Sequence, residues 1–334
     1  MTDAQRVLPR HSAVAFILAT LVRVCLAAVP VLGCGQVAYA RVILVGAHRL
    51  IKVPSQAATV ARDGDRVVID PGTYQDCSVW RASRLTIEAA APGVTIAGKV
   101  CYERGIFVTA GAGITVRGII FARARGLYHT GAGIFALGAD LTVENSQFLD
   151  NENGILAGGQ LDSRVRIVDS TFRGNGSCEG ACAHGVYAGA AIMLLDIERC
   201  RFLDTRTAHH VKSRARNTIV VDSEISDGDT GTSSYLIDVP DGGNVLIQNN
   251  VLRKGARSSN VAAAISIGVE GVKNPTQAVI VRDNRFASDL PEPTIFVRNS
   301  SAVGAELSGN QLAGKTVPLR GPGSVNGQPV SSRE

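Results

Sequence analysis

A repeat constrains this chain more than any other feature of its sequence. Eight runs share a β-rich stretch, a polar pair and a closing apolar residue. They read ITVRGIIF (114–121), LTVENSQF (141–148), VRIVDSTF (165–172), DIERCRF (196–202), TIVVDSEI (218–225), VLIQNNVL (245–252), VIVRDNRF (279–286) and ELSGNQL (306–312). Their closing residues lie 23 to 34 positions apart. That interval is too long for a hairpin meander and suits one full coil of a solenoid. No copy holds a helix-length amphipathic stretch, which excludes leucine-rich and helical-pair repeats. Two residues before each closing position stand Ile119, Ser146, Ser170, Cys200, Ser223, Asn250, Asn284 and Asn310. Such a column predicts a tight internal turn, with Asn tolerating left-handed geometry and side chains bonding from coil to coil. Cys200 in that column reads as a buried free thiol.

A second column follows the first. It runs through GIFVT (105–109), GIFAL (133–137), GILAG (154–158), GVYAG (185–189), HVKSR (210–214), SYLID (234–238), AISIG (264–268) and TIFVR (294–298). These read as equivalent strands stacked in parallel, with Ile and Val inward. The expected architecture is all-β: one solenoid domain of eight to eleven coils over 41–315, then a polar tail at 316–334. The tail, rich in Gly, Pro and Ser, is expected to be poorly ordered.

Composition narrows the class. At 45% hydrophobic the chain is too apolar for disorder. Its formal charge of +5 favours polyanions in general. No nucleic-acid-binding motif is present, so no nucleic-acid partner is expected. Arg6 and Arg10 precede the apolar run SAVAFILATLV, and AYA at 38–40 fits a signal cleavage site. The alternative is a lipoprotein signal over 1–33, with VLGC ending at Cys34. Either way the protein is expected to be exported, periplasmic or secreted, with no membrane span in the mature chain and no partner subunit. Export permits disulfides. Cys178 and Cys182 can close a small loop, and Cys77 and Cys101 lie about one repeat apart. Their spacing does not match a zinc site, and neither metal nor cofactor is expected.

The repeat resembles the right-handed parallel β-helix of the pectin-lyase-like superfamily. DGDRVVIDPGTY (63–74) adds to the likeness, since a similar run commonly opens such helices. That scaffold hosts lyases, hydrolases, esterases, epimerases and non-catalytic proteins, so the resemblance implies a fold and no single activity. HGVYAG, HHVKSRA and SSYLIDVPDGG, in that order, are similar to a group of exported bacterial β-helix proteins. The matching positions are His184, Tyr187, His209, Lys212, Ser213, Arg214, Tyr235 and Asp238.

Within AHHVKSRAR (208–216), strand alternation puts His210, Lys212, Arg214 and Arg216 on one face. Like charges so arranged repel, which raises the question of their counter-anion. The group pattern favours His209, whereas strand alternation favours His210; a turn entering the strand can swing His209 outward, so both stay candidates. On the column alignment Tyr187, Lys212 and position 236 share an outward slot. The expected partner is an acidic polysaccharide lying along this face. β-Elimination or C5 epimerisation of uronates needs a cation on the carboxylate, a base and, for elimination, an acid. Arg214 would clamp the carboxylate, with Arg216 and Asp238 as further substrate contacts. Lys212 or a histidine (His184, His209 or His210) would be the base, and Tyr187 or Tyr235 the acid. A non-catalytic polysaccharide-binding protein is the alternative. A calcium-dependent lyase and a two-carboxylate glycosidase are disfavoured, as no acidic cluster or adjacent Asp pair accompanies the row.

Overall fold

A computed structural model describes residues 40–330. The signal sequence, its cleavage site and Cys34 lie outside the described residues. Three parallel sheets wind about one axis, with strand orders of thirteen, ten and ten. Each coil contributes one strand to each sheet in turn, giving ten complete coils. The solenoid of eight to eleven coils is therefore present. The helix Pro54–Val60, the one helix among the described residues, lies against Val42–Val45 and Ser78–Trp80. Its second residue donates a backbone N–H to Asp76 Oδ2 at 2.7 Å.

The core is built by stacking like on like. Phe121, Phe148, Phe172 and Phe202 are fully buried and form a column with centroid spacings of 5.2, 4.5 and 4.5 Å. Coil registry brings these rings together, since the sequence places a Phe at the closing position of these four consecutive copies.

The polar column forms the expected ladder. Backbone N–H groups of Ser146, Cys200, Ser223, Asn250 and Asn284 donate to the next coil's Ser170 Oγ, Ser223 Oγ, Asn250 Oδ1, Asn284 Oδ1 and Asn310 Oδ1, all at 2.9–3.1 Å. The left-handed residue, however, is the one before the column. Gly118, Asn145, Asp169, Arg199, Asp222, Asn249, Asp283 and Gly309 all have φ between 48° and 73°. The turn bends at that residue, and the column side chain then satisfies the freed amide. A second ladder runs from Ala124 N–H to Asn151 Oδ1 (2.9 Å) and from Asn151 N–H to Asn175 Oδ1 (3.0 Å). Cys77–Cys101 and Cys178–Cys182 are disulfides. Among the described residues Cys200 is the free, buried cysteine, and burial pushes its thiol up to about 12.

Two expectations change. The stack continues past residue 315: Thr316–Arg320 pairs with Thr294–Asn299, and Gly323–Val325 pairs with Ala305–Ser308. Pairing with a finished coil outweighs the flexible composition of this segment. The second column also needs re-registration. Gly133 pairs opposite Ile106, Ile237 opposite Val211, and Val297 opposite Ile265. GIFVT is thus offset by one residue, and SYLID and TIFVR by two, because the preceding loops differ in length.

Candidate functional site

The strands Val186–Ala188, Val211–Ser213 and Ile237–Val239 lie side by side in one ten-stranded sheet. Tyr187, Lys212 and Asp238 share an outward slot on consecutive coils. Asp238 takes the place expected for position 236, and Leu236 is fully buried.

Just before these strands the chain turns a corner. Thr207 and Ala208 both have positive φ, 49° and 50°. This turn puts His209 on the outer side and His210 inside. His184, His209 and Tyr235 therefore stack on successive coils, with centroids 5.0 and 5.2 Å apart, and Tyr187 lies 5.6 Å from His184. The His209 N–H donates to His184 Nδ1 (3.3 Å), and the Tyr235 N–H donates to His209 Nδ1 (3.1 Å). With Nδ1 accepting, each neutral ring carries its proton on Nε2. Burial, then the charges of Lys212 and Lys254, lowers His209 to about 3. Burial, with His209, Lys212 and Arg214, holds His184 well below the usual imidazole range. With Nδ1 engaged by a backbone N–H, each ring turns its Nε2–H outward and offers no free lone pair for a base in this arrangement.

His210 does not face Lys212. It is fully buried, its Nδ1 2.7 Å from Thr205 Oγ1 and its Nε2 3.0 Å from Asp227 Oδ1. Burial pushes Asp227 up, but His210 and the charge of Lys254 outweigh it and hold the carboxyl below its ordinary value. Lys254 is also fully buried and donates to the Ser234 carbonyl; burial lowers it to about 8. His210 is thus part of an internal polar network. Ser213 likewise points inward, 2.7 Å from Thr218 Oγ1.

The counter-anions of the basic row come from this chain. Lys212 Nζ lies 3.2 Å from Asp238 Oδ2 and 3.0 Å from Glu270 Oε1. Arg214 Nη1 donates to Asp241 Oδ1 at 2.6 Å, Nη2 to Glu270 Oε2 at 2.5 Å and Nε to Tyr187 Oη at 3.2 Å. Arg216 pairs with Asp162, apart from this cluster. Burial opposes the Arg214 charge, but Glu270 and Tyr187 raise its pKa nonetheless. The Arg214 hydrogen bond, more than any other contact, brings Glu270 down to about 2. Burial lifts Asp238 above the usual carboxylate range, with Lys212 opposing. Ser266, in register with Asp238, favours its charged form, yet Asp238 Oδ1 and Ser266 Oγ lack a hydrogen bond of good geometry.

Sequence reasoning missed Glu270 and Asp241. One signal was available: the longest repeat interval, 34 residues from Leu252 to Phe286, contains the loop bearing Glu270. The row is largely covered by its carboxylate partners, with the Lys212 and Arg214 side chains 11% and 18% exposed. A cleft of about 620 Å³ lies instead among the loops of Arg125, His129, Glu152, Glu179, Arg206 and Thr207. Among the described residues, no cluster of three or more His, Cys, Asp or Glu is arranged to hold a metal, and no helix is long and apolar enough to cross a membrane.

No known family profile matches the chain, and no curated protein matches it. Solved structures do. A pectate lyase, Pel9A, is 12% identical over 83% of this chain and 78% of its own, with a TM-score of 0.53. An alginate lyase from Paenibacillus sp. str. FPU-7 is 17% identical over 79% and 96%, with a TM-score of 0.45. The A-module of the Azotobacter vinelandii mannuronan C-5 epimerase AlgE4 is 14% identical over 81% and 92%, with a TM-score of 0.39. At such identities the likeness to Pel9A speaks for fold alone, and with the three-sheet coil it makes this chain a right-handed parallel β-helix protein.

Proposed function

We propose that this is an exported protein acting on an acidic polysaccharide, with a uronate carboxylate held between Lys212 and Arg214. One observation carries the reading: the Glu270 carboxylate already bridges these two cations. Glu270 is 43% exposed and sits on a loop, whereas Asp238 and Asp241 are buried. A substrate carboxylate takes the place of Glu270 and leaves the buried pairs intact. Two disulfides fit an oxidising compartment, and a solved protein of this fold is a pectate lyase.

The chemistry follows from that position. Lys212 and Arg214 neutralise the uronate carboxylate, which makes the neighbouring C5–H more acidic. A base takes the C5 proton, the C4–O bond breaks, a C4–C5 double bond forms, and the leaving oxygen gains a proton. Arg214 Nε donates to Tyr187 Oη, so the phenol proton is not used in this contact. Tyr187 is thereby positioned to move a proton, as are the Nε2–H groups of His184 and His209. C5 epimerisation shares the first two steps and returns a proton from the opposite face.

Binding without chemistry is the second reading. It is favoured because Asp238, Asp241 and Glu270 already neutralise Lys212 and Arg214. The test pairs Glu270→Gln with Arg214→Ala on pectate and alginate. Glu270→Gln is expected to tighten polymer binding several-fold by freeing the cations. Arg214→Ala should weaken it about tenfold or more, since a hydrogen bond to a charged group contributes roughly 1.5–3 kcal/mol. Unsaturated products absorbing in the ultraviolet distinguish a lyase from a binder. If Glu270→Gln leaves affinity unchanged, the bridge is structural and the proposed site is wrong.

A further inference from the structure

The outward slot that holds Tyr187, Lys212 and Asp238 continues through Ser266 and Arg298 to Arg320. Val297 and Leu319 are buried, so Arg298 and Arg320, next to them, face outward. Arg298 is half-buried and Arg320 exposed. Neither forms an ion pair or a side-chain hydrogen bond among the described residues, in contrast to Lys212 and Arg214. Two guanidinium groups on directly paired strand positions, about 4.8 Å apart at the backbone, repel unless an anion lies between them. From Lys212 to Arg298 is three coil steps, about 14 Å, and to Arg320 four, about 19 Å.

We infer that Arg298 and Arg320 form a distal anion subsite for the same acidic polysaccharide, whose chain runs along this slot toward the C-terminal coils. The inference rests on the functional reading above. A uronate ring in an extended chain advances about as far as one coil, so carboxylates fall near both cation pairs. Between the pairs stand Asp238 and Ser266, 2% and 0% exposed, so the polymer passes over them and its contacts are the cations at either end.

The test is the length dependence of binding, with oligogalacturonates of two and six residues. Wild type should bind the hexamer at least tenfold more tightly than the dimer. The double variant Arg298→Gln/Arg320→Gln should lose that advantage while keeping dimer affinity, and Arg298→Lys/Arg320→Lys should keep most of it. Should the Gln pair lower the thermal midpoint, Arg320→Gln alone, at the exposed member, must show a weakened hexamer advantage. A folded Gln pair with wild-type hexamer affinity overturns the subsite, even where Arg214→Ala abolishes dimer binding. Absence of binding to either oligomer overturns the subsite together with the functional reading. Equal competition by polyphosphate of matching length overturns the polysaccharide assignment.

Discussion

Thr207 and Ala208, both in the left-handed region, decide which of two adjacent histidines meets the outer face. A β-branched residue is strained there. The surrounding bonds hold it, including the Thr207 N–H to Thr232 Oγ1 at 3.0 Å. The consequence reaches the pH dependence of stability. His209 is lowered from 6.5 to about 3, so the unfolded chain binds a proton that the folded chain refuses. Its contribution is complete above pH 6.5 and is lost as pH falls from there toward 3. His184 shifts in the same direction. His209→Asn keeps an acceptor for the Tyr235 N–H and removes the titration. Between pH 6.5 and 5, the fall in unfolding free energy should be shallower in this variant by up to one proton, about 1.4 kcal/mol per pH unit. Denaturant unfolding across that range checks it, and equal slopes in both proteins would place the His209 ring in water.

At the scale of the element, the coil-to-coil ladder holds the turns. Ser170 is 1% exposed, donates to the Val168 carbonyl at 2.8 Å and accepts from the Ser146 N–H at 3.1 Å. Ser170→Leu removes both bonds and forces a larger side chain into a filled site, at a cost of about 2–4 kcal/mol. Asn250→Ala strands the Ser223 N–H and the Val220 carbonyl, at a similar cost of about 2–3 kcal/mol. Equal thermal midpoints for wild type and either variant would show the ladder to be inert. These columns were legible in the sequence because the closing apolar residue and the residue two before it recur at a fixed offset inside each copy. The register across SYLID was not, since it depends on how many residues the loop before it absorbs. The basic row was legible as charge, but its partners were not. Glu270 lies 58 residues from Lys212 and meets it only because a long loop folds back over two coils. The choice between His209 and His210 was only half legible, because alternation is a rule within a strand and the corner precedes the strand.

Over the whole molecule, each coil covers its neighbour's edge, so stability is a chain of nearest-neighbour interfaces with two vulnerable ends. The disulfide Cys77–Cys101 tethers the first coils. At the other end, Thr316–Arg320 covers the edge of Thr294–Asn299, with Leu319 4% exposed opposite Val297. Gly323–Val325 then reverses into Gln328–Pro329 as an antiparallel pair, which ends the parallel ladder. A segment of Gly, Pro and Ser composition thereby acts as a cap. Deleting residues 315–334 exposes the unpaired edge of Thr294–Asn299 and the apolar residues beneath it. An open edge of this kind templates pairing with another chain. The shortened protein is expected to melt several degrees lower and to associate as concentration rises. Light scattering alongside thermal unfolding reads both effects. If it instead stays monomeric with the parent's midpoint, the last strands add nothing to the stack, and stability resides wholly in the coils before them.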